Sequence, residues 1–226
     1  FGVVPAAARH PYNYDDGRAN CIFIPRFRNL AERHPKFIRG YNFMGAVQRG
    51  MMPTTAGGAT GFGVNLKKQI RDAQDPPPFW MAGLAEMLPR FENRVTIDKN
   101  KKDAWGIPAV NIECTHSDNE RAMAVDQMET MKEMAHAAGF QINAEDPNLA
   151  PPGTAIHDLG TARMGDDPKK SVLNKFNQSW DVKNLFVTDG ASFTTGCSQA
   201  PTLTMMALTV RACDYLVDQH RKGDLV

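Results

Sequence analysis

Three stretches near the end of the chain decide how it reads: HDLGTARMG at residues 157–165, NLFVTDG at 184–190 and QAPTLTMMALTVRACDYL at 199–216. The first sets His157 beside a glycine-bearing turn instead of inside an apolar periodic run. An imidazole placed there serves local packing or accepts a proton from a ligand. In the second, the apolar run Asn184 to Thr188 reads as a short strand ending in Asp189-Gly190. An acidic residue at the carboxyl end of a strand is a common place to meet a ligand hydroxyl, and it is equally an ordinary turn. In the third, Pro201 suits a helix start, where its missing amide hydrogen costs nothing. Leu203, Met206, Leu208, Val210 and Leu216 then form a broad apolar face, which predicts a helix packed inside the protein. The first turn carries no acidic residue, so its unpaired amides offer about half a positive charge to an anionic group.

Upstream, DPNLAPPG at residues 146–153 is rich in breakers and marks a boundary. Before it, Ser117 followed by Glu120 is a capping box, each side chain satisfying an orphan backbone donor. The helix it starts carries Ala122, Val125, Met128 and Met131 at helical spacing and stops at Gly139. Met123, Met128, Met131 and Met134 are read as packing residues. Arg94 to Asp98 and Pro108 to Cys114 alternate apolar and polar residues around a polar turn at Lys99 to Asp103, which predicts an antiparallel hairpin. Lys36 to Val47 alternates in the same way, and Cys21 to Ile24 reads as a short strand. The glycine-rich PTTAGGATGFG at 53–63 lacks the GxGxxG spacing and is read as a loop or lid. Pro76-Pro77-Pro78 reads as a stiff turn or linker.

Composition narrows the function classes. The chain has 226 residues, with 26 basic and 25 acidic side chains and a net charge of +1. So even a balance argues against a nucleic-acid partner. No apolar run approaches the roughly 18 residues of a membrane helix. Cys21, Cys114, Cys197 and Cys213 lie far apart without metal-ligand spacing, which predicts free thiols and no metal site.

The order histidine, aspartate-glycine, proline-threonine resembles the C-terminal part of the glucose-methanol-choline (GMC) flavin oxidoreductases. IPRFRNL (24–30), FIRGYNFMGAVQRG (37–50) and ENRVTIDKNKKDAWGIP (92–108) are similar to its bacterial sugar dehydrogenases, including those acting at a glucoside 3-hydroxyl. The resemblance implies an α+β fold: an antiparallel substrate-domain sheet backed by helices, then a C-terminal strand and helix completing a Rossmann-like FAD-binding domain. Residues 1–35 would be an irregular joining segment, 36–155 the substrate domain and 156–226 the return into the FAD-binding domain.

By the same resemblance, the chain is expected to be the back portion of an FAD-dependent enzyme oxidising a sugar or polyol hydroxyl. His157 would take the alcohol proton while hydride passes to flavin N5. Asp189 and Gly190 would meet the flavin ribityl and diphosphate region, and Pro201, Thr202 and Leu203 would lie at its N1 and O2 edge. A second histidine or an asparagine usually precedes this proline in the family. Here Ala200 stands there, and Gln199 is the candidate substitute.

The family's N-terminal dinucleotide fingerprint is absent from this sequence, which begins at Phe1. A separate FAD-binding segment is therefore expected as a partner, with a cytochrome or quinone as possible electron acceptor and export to the periplasm as the associated location. The alternative from another class is a non-catalytic sugar-binding subunit that has lost turnover.

Overall fold

The computed structural model describes residues 2–3, 21–47, 57–72, 78–146, 148–196 and 198–225. Within them the element order is β1 (Gly2–Val3), β2 (Cys21–Phe27), β3 (Tyr41–Val47), α1 (Gly63–Asp72), β4 (Pro78–Ala85), β5 (Arg94–Lys102), β6 (Pro108–Glu113), α2 (Asp118–Ala137), β7 (Gln141–Ile142) and α3 (Thr202–Lys222). The architecture is α+β with antiparallel sheets. The chain divides into two compact units, Phe1–Ala85 with Ala122–Leu149 and Glu86–Arg121 with Ala150–Val226. The start of the glycine-rich stretch, Pro76 and Pro77, and Cys197 lie outside the described residues. Cys114 and Cys213 are free thiols.

The first unit is built on a five-stranded sheet in the order β2-β3-β4-β1-β7. Its core is aromatic. Phe37, Tyr41 and Phe43 pack with Met123 of α2, flanked by Ile24, Phe27, Met81, Met131 and Met134. Tyr41 meets Phe43 edge-on at 5.2 Å between ring centroids, a geometry that aromatic quadrupoles favour. β3 starts at Tyr41, later than the alternation from Lys36 suggests. The five residues before it form bends, with Arg39 at φ +71.

The buried side of α2 carries Met123, Gln127 and Thr130, whereas Val125 is exposed. Of the apolar pattern 122-125-128-131, Ala122 and Met131 pack against the core and Val125 does not, and two of the helix's buried residues are polar. Gln127 lies against β4 at Gly83, where a Cβ would come within 2.7 Å of the glutamine side chain. Beside them Asp126 accepts hydrogen bonds from Arg28 (2.8 Å) and from the Tyr41 hydroxyl. Burial pushes Asp126 up, but the hydrogen bonds from Arg28 and Tyr41 and the nearby positive charge outweigh it and hold the carboxyl below its ordinary value. Burial and that same carboxylate push the Tyr41 hydroxyl up to about 12.

The second unit holds the predicted hairpin. β5 and β6 pair antiparallel with Val95 opposite Ile112 and Ile97 opposite Val110. The turn falls later than the sequence suggests. β5 runs on to Lys102, and Asp103 makes the turn by accepting from the amides of Trp105 and Ile107, both at 2.9 Å. The capping box forms as read, with the Ser117 amide donating to Glu120 at 2.6 Å and the Asn119 amide to the Ser117 hydroxyl at 3.3 Å.

Two expectations for this unit fail. Residues 184–188 form no strand; Phe186 makes a single bridge with Gln178. The backbone there is satisfied by the preceding loop instead, Val187 donating to the Asn177 carbonyl at 3.0 Å and Ser179 to that of Leu185 at 2.9 Å. Nor is α3 packed all along its apolar face. Leu203, Met206 and Val210 are 79%, 61% and 62% exposed, and Ala212 is the helix's fully buried residue.

Candidate functional site

The site is assembled in the second unit from three consecutive pieces of chain. The segment after His157 runs beside the Asp189 turn. The amides of Gly160, Ala162 and Met164 donate to the carbonyls of Gly190, Ala191 and Ser192 at 3.0, 2.9 and 2.9 Å. This is a ladder without a sheet, and it fixes 160–164 against 190–192.

Asp189 caps a short 3-10 turn, Gly190–Ser192, its Oδ1 accepting from the Ala191 amide at 2.9 Å. Gly190 is buried where an added side chain would have to displace Leu159. A Cβ would sit 2.5 Å from Leu159 Cδ2 and 3.3 Å from both the Asp158 carbonyl oxygen and Met205 Cε. Gly190 thus marks the point where the loop after His157, the Asp189 turn and the start of α3 meet. α3 is tied to the same turn from its other side, Thr209 donating to the Thr188 carbonyl at 3.1 Å.

The start of α3 has the electrostatics read from sequence. Pro201 is its buried cap residue and makes no side-chain cap bond, and no acidic residue occupies the first turn. Of the other predicted residues, His157 and Gln199 are half-buried, while Ala200, Thr202 and Leu203 are exposed. His157 precedes Leu159 by two residues and Gln199 precedes Pro201 by two, so each enters the cluster through its neighbours along the chain. The ring of His157 makes no hydrogen bond with any described residue.

Two shallow hollows in this unit, about 200 and 220 Å³, are lined by residues such as Asp166, Lys175 and Tyr215. Neither is lined by His157, Asp189 or Pro201, but the second takes in Met164 from the ladder, Thr194 and Leu208 of α3.

One contact had no signal in the sequence. Glu86 Oε1 accepts a hydrogen bond from the Thr195 hydroxyl at 2.6 Å, across 109 residues, in the segment leading to Gln199. Glu86 follows a strand that the proline triplet had hidden, and a lone glutamate there carries no motif.

Residues that could hold a flavin fit in part. An uncapped helix start suits an anionic ring edge, and the Asp189 turn presents an exposed carboxylate. No GxGxxG turn for the diphosphate occurs in this sequence.

The chain is similar in sequence to several known dehydrogenases and oxidases. Over 193 residues, 84% of the chain, it is 36% identical to the 2-methyl-1,2-propanediol dehydrogenase of Mycolicibacterium austroafricanum, covering 34% of that protein. It is 32% identical over 138 residues to the fructose dehydrogenase large subunit of Gluconobacter japonicus, with 61% of the chain and 25% of the relative aligned. The C-glycoside 3-oxidase of Arthrobacter globiformis is 31% identical over 129 residues, 57% of the chain and 25% of that enzyme. The chain thus spans about a third or less of the length of these relatives. Residues 89–209, which include the hairpin, the His157 loop, the Asp189 turn and the first turns of α3, match the GMC oxidoreductase family model, and the chain belongs to that family.

Proposed function

We propose that this chain is the C-terminal portion of an FAD-dependent oxidoreductase that oxidises a CH–OH group of a sugar or polyol. The observation that carries the reading is the convergence at Gly190 of the His157 loop, the Asp189 turn and the uncapped start of a 21-residue helix. The named relatives act on a diol, a hexose and a glycoside, which supports a polyhydroxylated substrate.

In this reading His157 accepts the hydroxyl proton on a ring nitrogen as the substrate carbon gives up a hydride, and a carbonyl forms. FAD, when bound, supplies the hydride acceptor. The start of α3 at Pro201, Thr202 and Leu203 stabilises negative charge at the flavin edge, and Asp189 and Gly190 meet its polar chain. Gln199 takes the substrate-orienting role that Ala200 has no polar group to perform. Residues 36–155 would supply the substrate domain and 156–226 the return to the flavin domain. The exposed stripe of α3 supports this, since Leu203, Met206 and Val210 are apolar surface that a Rossmann-like segment outside this chain would cover. A cytochrome or quinone would then take the electrons.

The test is His157→Ala in the complete, flavin-loaded protein. Turnover with sugars or polyols should fall by about 10²–10⁴-fold while the flavin absorption bands stay. Undiminished turnover would remove His157 as the base. A complete protein that binds sugar, yet carries no flavin and reduces no acceptor, would establish the sugar-binding alternative that Ala200 suggests.

A further inference from the structure

We propose that Glu86 is a positioning residue for the oxidation described above. Its carboxylate clamps the Thr195 hydroxyl and so sets where Gln199 and the first turn of α3 stand. The inference rests on that functional reading.

The clamp starts from a fixed base. Two residues after Glu86, the Leu88 amide donates to Glu120 Oε1 at 3.1 Å, and Glu120 is itself held by the capping box at Ser117. Arg90 then donates to the Thr115 hydroxyl at 2.9 Å. Residues 86–90 are thus tied at two points to the start of α2 and the residues just before it. The receiving side is a loop. Phe193 closes the Asp189 turn by donating to the Gly190 carbonyl at 3.2 Å, and regular structure resumes at α3.

In this stretch the Thr195 hydroxyl meets Glu86 at 2.6 Å and lies 3.3 Å from the Gly196 carbonyl. A short hydroxyl–carboxylate bond is among the stronger and more directional ones. The next residue is packed against the His157 loop, because a Cβ at Gly196 would lie 3.3 Å from Leu159 Cδ1. Glu86, Thr195, Gly196 and Leu159 therefore form one line of contact that ends two residues from His157. Moving the loop shifts both sides of the reacting geometry together, and misplacement by about 1 Å can cost on the order of 10²-fold in rate.

The bond is solvent-exposed, so its loss should leave global stability nearly unchanged. That separates positioning from a merely structural role. In the complete, flavin-loaded protein, Thr195→Val and Glu86→Met should each lower kcat by about 10- to 100-fold with flavin content and Tm retained. Thr195→Ser keeps the hydroxyl and should return most of the rate. The double variant should be no slower than the slower single one, because both substitutions remove the same bond.

Amide hydrogen exchange at residues 194–196 and 198–200 reads the clamp without any turnover. It should quicken in Thr195→Val and Glu86→Met, and not in Thr195→Ser. Unchanged exchange in Thr195→Val overturns the proposal, and so does faster exchange with an unaltered kcat. If the wild-type protein oxidises no alcohol, the functional reading fails, the positioning claim falls with it, and exchange alone reports whether the clamp exists.

Discussion

The two units are held by different physics. In the first, a five-stranded sheet and a long helix close over an aromatic core, and its half-buried Asp126 carboxylate is answered by Arg28 and Tyr41. In the second, order comes mostly from loops bonded to loops: the ladder between 160–164 and 190–192, and the crossings around a fully buried Asn177. Its longest helix leaves an apolar stripe bare. The contrast is in how order is reached, by side-chain packing in the first unit and by hydrogen bonds between loops in the second.

The contrast can be broken at its strongest point first. Phe43→Ala removes a fully buried ring from the first unit's core. It should destabilise the complete protein by about 3–5 kcal/mol, read by chemical denaturation. A loss under 1 kcal/mol would mean that this core does not hold the unit. Next comes the bare stripe. If a flavin-binding segment covers it, Val210→Asp buries an unpaired charge and should cost roughly 3 kcal/mol in the complete protein, with flavin lost on dilution. Retained flavin and unchanged stability would show that the stripe faces water in the working enzyme.

The smallest effect concerns the polar network. Asp126→Asn should cost about 1–2 kcal/mol, modest because Arg28 is partly exposed. The folded carboxyl of Asp126 is depressed, so its stabilisation is present above the ordinary carboxylate range and is lost as pH falls through the lowered value. The Tyr41 hydroxyl is raised, so its contribution is full below its ordinary value near 10 and is lost as pH rises toward about 12. Stability against pH should therefore fall off at both ends, and Asp126→Asn should flatten both limbs. Limbs unchanged in that variant would assign the pH dependence to other groups.

Much of the molecule was legible where a local rule acts alone. The hairpin at β5 and β6 follows from alternation, and the start and stop of α2 from Ser117, Glu120 and Gly139. The family was legible in three short motifs. What escaped depends on contacts distant in sequence. β4 has apolar residues on both faces and so shows no alternation, and it begins at a proline that reads as a break. The buried side of α2 was hidden because Gln127 and Thr130 are polar, and only the packing against Gly83 and the bond near Asp126 explain their position. The run 184–188 has strand composition, yet Asn177 and Ser179 took its backbone partners first. At the candidate site the residue types and their order were visible, whereas Glu86 was not, because its partner lies 109 residues away.

The close fit of Gln127 over Gly83 has a consequence for how the sequence can drift. A methyl group at position 83 needs Gln127 to move, and Gln127 is packed at the sheet surface with little room to do so. Neither position is free to change alone toward a larger residue. Across homologues the two should vary as a pair, a larger residue on the strand appearing with a smaller one on the helix, and a lone Gly83→Ala lineage should carry its compensation at 127.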